Sequence, residues 1–223
     1  MALTLANALT EVRDLLNEST AVFWSDAQIT KWIQEGTRIF SSKTLMVEDT
    51  QVITPLIANQ LSYSSPSDET WIADVLEIYA AIYYDGTAPE YKGLIKIHPR
   101  QIGNLALGTA GPTKYYTFHD RKIYLWPVPN ATIIAAGANI TFLFSKETDD
   151  ITAMTDEFQH LPIIYAVAKA KQKDMKFGEA TALLSQFFQE IAFERSDKYT
   201  REVDSLDKFK IPATGGGNQS AGG

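Results

Sequence analysis

The chain has no cysteine. A disulfide framework and thiolate metal sites are therefore excluded, and the composition suits a reducing, cytosolic setting. Histidine is scarce: His98, His119 and His160 are the only three. They lie far apart in sequence, and none has a His or Glu at helical metal-ligand spacing. Structural or surface roles are expected for all three, with no metal and no cofactor. No apolar run approaches the ~20 residues that a membrane span needs, and Met1-Ala2-Leu3-Thr4 lacks the basic flank of a signal peptide. The expectation is a soluble, intracellular protein without a membrane partner. Basic charge is also short, with 20 Lys and Arg against 27 Asp and Glu and a formal charge of −7. A protein that grips DNA does so by neutralising phosphates and releasing counterions, which calls for the opposite balance. Lys169, Lys171 and Lys173 are interrupted by Asp174 and make no strong patch. Sequence-specific DNA binding is argued against, whereas a surface that DNA passes without sticking is compatible.

What is present is a chain of 223 residues, 45% hydrophobic, able to bury a real core as one domain or one domain with an insertion. Leu5, Ala8, Leu9, Val12, Leu15 and Leu16 recur at helical spacing and predict an amphipathic helix over 4–17. A second helix begins at Ser25, where Ser25-Asp26-Ala27-Gln28 reads as a capping box ahead of the stripe Ile29, Trp32, Ile33, Gly36, Ile39 and Phe40. Between residues 50 and 145 the pattern becomes β-rich, with Pro and Gly at short intervals. Strands are expected at 52–54, 60–63, 75–84, 92–97, 113–118, 122–126 and 140–145, with turns at Asp85-Gly86 and His119-Asp120-Arg121. A short helix is expected at 99–105. Pro55, Pro127 and Pro129 cannot donate to a ladder and belong at strand ends or edges.

Helix returns after Asp156. The segment 161–174 is apolar nearly all round, which predicts burial on more than one side. Lys176-Phe177-Gly178 reads as a stop and turn. The stripe Ala180, Leu183, Leu184, Phe187, Phe188, Ile191 and Ala192 then predicts a helix over 179–204, antiparallel to its predecessor. The Gly-rich end reads as a flexible or partner-docked tail. The expected architecture is α+β: a helical bundle of order α-α-β-α-α with an inserted antiparallel β-rich domain and an extended C-terminal tail. The divisions are 1–48 for the first helices, 49–150 for the insertion, 151–207 for the helical hairpin of the same bundle, and 208–223 for the tail.

No motif carries catalysis. The pairs Asp68-Glu69, Asp149-Asp150 and Asp156-Glu157 sit in polar linkers or at a helix start, where carboxylates are solvated or favoured by the helix dipole. Hydrolysis by two carboxyls requires them across a cleft, in environments that separate their pKa values. Gly215-Gly216-Gly217 has no strand before it, no helix after it and no Lys-Ser/Thr ending, so it is not a phosphate loop. Ser64, Ser65 and Ser185 lack a nucleophile-elbow context. No enzyme is expected. The remaining signal is aromatic: Tyr79, Tyr83, Tyr84, Tyr91, Tyr115, Tyr116, Phe118, Tyr124 and Trp126 fall in the β region. Sheet core accounts for about half of them, and a protein interface is the functional reading of the rest, with Tyr115, Tyr116, Tyr124 and Trp126 as anchors. A stacking platform for single-stranded nucleic acid needs cations among the rings. Lys114, Arg121 and Lys122 supply some, against the net acidity.

Three elements together resemble the head-to-tail adaptor (connector, or neck) proteins of tailed double-stranded-DNA bacteriophages. One is the helix pair Val12-Arg13-Asp14-Leu15-Leu16-Asn17 and Trp24-Ser25-Asp26-Ala27-Gln28-Ile29, followed by Trp32-Ile33. Another is the hairpin ending Ile123-Tyr124-Leu125-Trp126-Pro127-Val128-Pro129. The third is the helical segment from Leu161-Pro162-Ile163-Ile164 to Ala170. The resemblance spans about Leu3 to Tyr199, and the long β segment looks like adaptors that carry an inserted β domain. It implies a structural virion subunit that assembles as a homo-oligomeric ring, typically a dodecamer, beneath the portal protein. Such a subunit extends the DNA channel, presents a surface to a downstream tail or nozzle protein, and makes only transient, non-specific contact with passing double-stranded DNA. It also implies a C-terminal segment that grips the portal, for which Phe209, Lys210, Ile211 and Pro212 are the candidate docking residues. Another neck or tail-completion subunit, or a soluble ligand-binding protein, is the alternative.

Overall fold

The computed structural model describes residues 3–18, 23–65, 67–86, 91–102 and 109–208, with side chains described to Arg195. Four long helices come from the two ends of this span: α1 (Leu5–Leu16), α2 (Asp26–Thr44), α5 (His160–Lys173) and α6 (Phe177–Lys208). Their starts follow from local chemistry. The Thr4 hydroxyl accepts from the Asn7 amide at 3.2 Å, and Ser25 Oγ accepts from the Gln28 amide at 3.3 Å, each satisfying an orphan donor of the first turn. α1 ends where Asn17 turns left-handed at φ 54°, and α2 ends the same way at Leu45, φ 58°. α5 is buried on several sides, as its all-round apolar sequence predicts, through Leu161, Ile163, Tyr165, Ala166, Val167 and Ala170. The bundle core also takes Val12, Ile29, Trp32, Ile33 and Phe40 from the front helices and Phe187 and Ile191 from α6. Gly36 sets the closest approach: a Cβ there would meet Tyr165 Cβ at 3.0 Å and Pro162 Cα at 3.1 Å.

The middle of the chain folds into two four-stranded sheets. The first has the order β1 (Glu48–Ile53), β8 (Asn139–Lys146), β3 (Val75–Tyr84), β4 (Tyr91–Gly93) and is antiparallel throughout. The second has the order β2 (Ser62–Ser64), β7 (Lys122–Trp126), β6 (Tyr115–His119), β5 (Ile95–Lys96), and its β5–β6 pair is parallel. Their facing sides share one core, with Ile78, Ala81, Tyr83, Ile140, Phe142 and Phe144 from the first sheet and Tyr116, Ile123 and Leu125 from the second. The Tyr116 and Phe142 rings meet edge-on across the sheets at 6.1 Å. Two short helices, α3 (Pro99–Ile102) and α4 (Ala131–Ala135), decorate this sandwich.

The α+β class and the α-α-β-α-α order of the long helices are those read from the sequence. Several details differ. The strand expected at 92–97 is two strands in different sheets: the Leu94 amide donates to Ala81 O at 2.8 Å and the Ile95 amide to Lys114 O at 2.9 Å, so the chain changes sheets between neighbouring residues. β1 starts four residues before the expected 52, because Glu48 to Gln51 find ladder partners on β8 despite their polarity. The strand expected at 60–63 is 62–64. α6 begins at Phe177, not after it; the turn residue is Met175, left-handed at φ 60°, and Gly178 lies in the first helical turn. α4 was not expected from the sequence; Asn130 starts it by accepting from the Ile133 amide at 2.9 Å. The helix expected at 99–105 is observed over Pro99–Ile102, and residues 103–105 lie outside the described residues.

Three sets of contacts join bundle and sandwich. Ser41 Oγ donates to Thr148 O at 3.3 Å and accepts from the Thr148 amide at 3.1 Å. Arg38 reaches Glu147 and Asp149, both at 3.3 Å, and the Tyr79 hydroxyl donates to Leu45 O at 3.1 Å.

Candidate functional site

Alternation along β6 and β7 sorts the hairpin aromatics by face. Tyr116 points inward and is 1% exposed, so burial pushes its hydroxyl up to about 12, helped by the Glu77 charge. Tyr115, Tyr124 and Trp126 lie on the opposite, outer face and are half-buried, with the Tyr115 and Trp126 rings 5.5 Å apart across the register. Of the four anchors expected from the sequence, three are thus reachable and Tyr116 is core. Tyr83 and Phe118 also belong to the sandwich core, whereas Tyr84 stacks on the 70% exposed Tyr91 at 5.2 Å. Phe209, Lys210, Ile211 and Pro212 lie outside the described residues.

The outer face of the first sheet is uncharged over two rows of paired residues. One row runs Val52, Thr141, Ile82 and Gly93, and the next runs Thr50, Leu143 and Ala80. Val52, Ile82 and Leu143 remain about two-fifths exposed there, at 40%, 42% and 39%.

The histidines and paired carboxylates support local structure. His98 Nδ1 accepts from the Arg100 amide at 3.2 Å. His119 is exposed opposite Lys122, beside the two-residue turn Asp120-Arg121, whose φ values of 53° and 54° match the strand twist. His160 places Nε2 at 2.9 Å from Glu190 Oε2 and Nδ1 at 2.9 Å from Glu157 O, tying the start of α5 to α6. Burial raises the Glu190 carboxyl, but Gln186 and His160 bring it below its ordinary value. Asp68 accepts from the Ser64 amide at 2.7 Å and Gln60 Nε2 at 2.8 Å, and Asp150 accepts from the Thr152 amide at 2.9 Å. Among the described residues no group of three or more His, Cys, Asp or Glu is placed to hold a metal ion.

Two clefts open at opposite ends of α5. One, of about 630 Å³, is lined by Leu16, Phe23 and Trp24 and by the lysines Lys171, Lys173 and Lys176. Its wall is held by Arg13, which is 7% exposed, donates to Asp26 Oδ1 and to Trp24 O at 2.9 Å, and lies 3.7 Å from Glu18. Glu18 in turn accepts from the Phe23 and Trp24 amides at 2.5 Å and 3.1 Å. The other cleft, of about 480 Å³, is lined by Phe158 and Phe193 with Glu157, Glu190 and Glu194 around them. Phe23 is 81% exposed and Phe193 71%, and Met175 and Phe177 beside the first cleft are 75% and 56% exposed. Sequence reading did not single out Phe23, Met175 or Phe193, and read Phe177 only as part of a turn. The available signal was helical phase: Phe193 falls off the stripe that buries Phe187 and Ile191. Between the clefts, Tyr165 donates to Glu35 Oε1 at 2.6 Å and Lys169 lies 3.3 Å from the same oxygen. Burial raises the Glu35 carboxyl, but Tyr165, Lys169 and Lys31 together hold it below its ordinary value.

These surfaces are those of a protein that meets other proteins: exposed aromatic and aliphatic groups with charged rims, on an α+β frame whose polar clusters are spent on its own structure. The chain belongs to the SU10 adaptor protein family, whose model matches residues 3–206 and so spans both bundle and sandwich. That membership makes it a phage adaptor-type protein with a structural role. No curated protein matches the chain. No described helix is long and apolar enough to cross a membrane.

Proposed function

We propose that this chain is a head-to-tail adaptor of the virion neck: a structural subunit that forms a homo-oligomeric ring, twelvefold, beneath the portal. It joins portal to tail and extends the DNA channel. The observation that carries this reading is the family match over residues 3–206, with the exposed apolar groups of bundle and sandwich as the surfaces an assembly needs. In this reading the bundle, 1–48 and 151–207, forms the ring, and 49–150 is an insertion directed outward or toward the next tail component. Tyr115, Tyr124 and Trp126 supply its aromatic contacts. Residues 208–223 hold the portal, with Phe209 and Ile211 giving the apolar burial that offsets ordering of the backbone. Attachment through many weak copies gains from avidity. The net acidity suits a wall that DNA slides past.

Native mass spectrometry of the full chain, alone and with its cognate portal ring, tests the reading. A complex with one subunit per portal chain, or another fixed ring stoichiometry, is the expected result. A chain that ignores the portal at micromolar concentration overturns it. Truncation after Asp207 tests the tail separately and is expected to abolish portal capture while leaving the fold intact.

A further inference from the structure

A ring of more than two copies cannot be closed by one self-complementary patch; each subunit must offer two different patches that fit each other. The two ends of α5, each flanked by α6, meet that requirement. α5 is 14 residues long, so its ends are ~20 Å apart. α6 runs back along it, with Glu179 against Lys171 at one end and Glu190 against His160 at the other. At the Lys171 end the open cleft is lined by Leu16, Trp24 and Ala170, the exposed Phe23, and a rim of Lys171, Lys173 and Lys176 that Asp174 interrupts, with Glu18 on its wall. At the His160 end, Phe193 stands out beside an apolar floor made by Phe158, with a rim of Glu157, Glu190 and Glu194. One end is lysine-rimmed and the other glutamate-rimmed, and each carries a phenylalanine more than two-thirds exposed.

We infer that these ends are the two halves of one contact between copies of this chain, the glutamate-rimmed Phe193 end of one subunit seating in the lysine-rimmed Phe23 cleft of the next. This rests on the ring reading and names its contact. Burying exposed aromatic surface supplies the attraction, and the opposed rims set orientation and disfavour pairing of like ends. Part of the lysine charge is already answered within the subunit, Lys171 by Glu179 at 3.0 Å and Lys176 by Asp174 at 2.7 Å. Lys173 is exposed, with its ammonium 5.1 Å from the Trp32 ring centroid. The net steering is therefore modest, and the contact is weak per copy and strong only in a closed ring.

The absence of native cysteine gives a clean test. Asp174→Cys and Gln189→Cys, exposed positions on the linings of the two clefts that leave Phe23 and Phe193 in place, are introduced in the full chain singly and together, and oxidised both free at high concentration and bound to the portal ring. The expected result is a ladder of covalent multimers beyond the dimer from the double variant only. Single variants stay monomeric, and Lys173→Glu or Glu194→Lys alone weakens the ladder several-fold while the two together restore it. Dimers as the end product from either single variant, or no ladder in both settings, overturns the inference. A fixed-stoichiometry portal complex without the 174–189 cross-link leaves the adaptor reading standing and removes this contact. A ladder in a chain that ignores the portal does the reverse.

Discussion

The bundle and the sandwich bury similar kinds of residue by different means. In the bundle, segments from the two ends of the chain meet, and their apolar stripes are stitched by charged groups at the margins, such as Arg13 between Glu18 and Asp26, and Glu35 under Tyr165 and Lys169. In the sandwich, strand alternation alone delivers Tyr116, Phe142 and Phe144 to one interior, and much of the first sheet's outer face is left uncharged. A helix distributes polar groups around its whole circumference, so its edges always present charges to pair. A strand has only two faces, and one of them here is free of charge over two rows of paired residues. The difference teaches where specificity comes from: ionic geometry in the bundle, cross-strand register in the sandwich.

The largest test of this contrast truncates one core aromatic in each part. Phe142→Ala and Phe187→Ala, both at 0% exposure, are each expected to cost about 3–5 kcal/mol in denaturant unfolding. If the two parts are separate cooperative units, each substitution shifts its own transition. A single shared shift would show one unit instead. Next comes Arg13→Ala, which removes the guanidinium beside the buried Glu18 carboxylate and is expected to cost about 3 kcal/mol. Because the same network shapes the Phe23 cleft, the Phe23–Trp24 amides should also lose protection in hydrogen exchange.

A smaller effect is expected from Gly36→Ala, about 1–3 kcal/mol, since the new methyl must displace Tyr165 or Pro162 at 3.0–3.1 Å. A neutral or stabilised Gly36→Ala would mean that α2 and α5 are not pinned there. The smallest effects are electrostatic and below about 1 kcal/mol, because both groups are partly solvated. Lys146, bonded at 2.7 Å, is the main cause holding Asp49 below its ordinary value, and burial only partly opposes it. Both Glu35 and Asp49 have lowered folded-state pKa values, so the stability they contribute is present above their ordinary values of 4.5 and 3.8 and is lost as pH falls through the folded ones. Carboxyl-carbon NMR titration should show Glu35 moving up in Tyr165→Phe and Asp49 moving up in Lys146→Met. Unchanged titrations would remove these pairs from the comparison.

Much of the frame was legible because it depends on short-range pattern. The four long helices, the Ser25 cap, β3 at 75–84 and β7 at 122–126 were readable from spacing alone. The breaks were not. Leu94 and Ile95 look like one strand, and only the presence of two separate sheets splits them. Asn130 was an ordinary polar residue until its carbonyl was placed at the Ile133 amide. The candidate contact surface was the least legible part, since a phenylalanine in an apolar stripe and one beside it look alike until the helix is packed.

The amino-acid sequence by itself determined the α+β class, the order of the long helices, the acidic balance and the lack of thiol chemistry, all of which depend on composition or on periods of two and 3.6 residues. Only the tertiary structure decided that Tyr116 is core while Tyr115 and Trp126 are not, that Arg13 is buried, and that Phe23 and Phe193 stand out near opposite ends of α5. Burial belongs to what packs against a residue, and its partners come from distant parts of the chain.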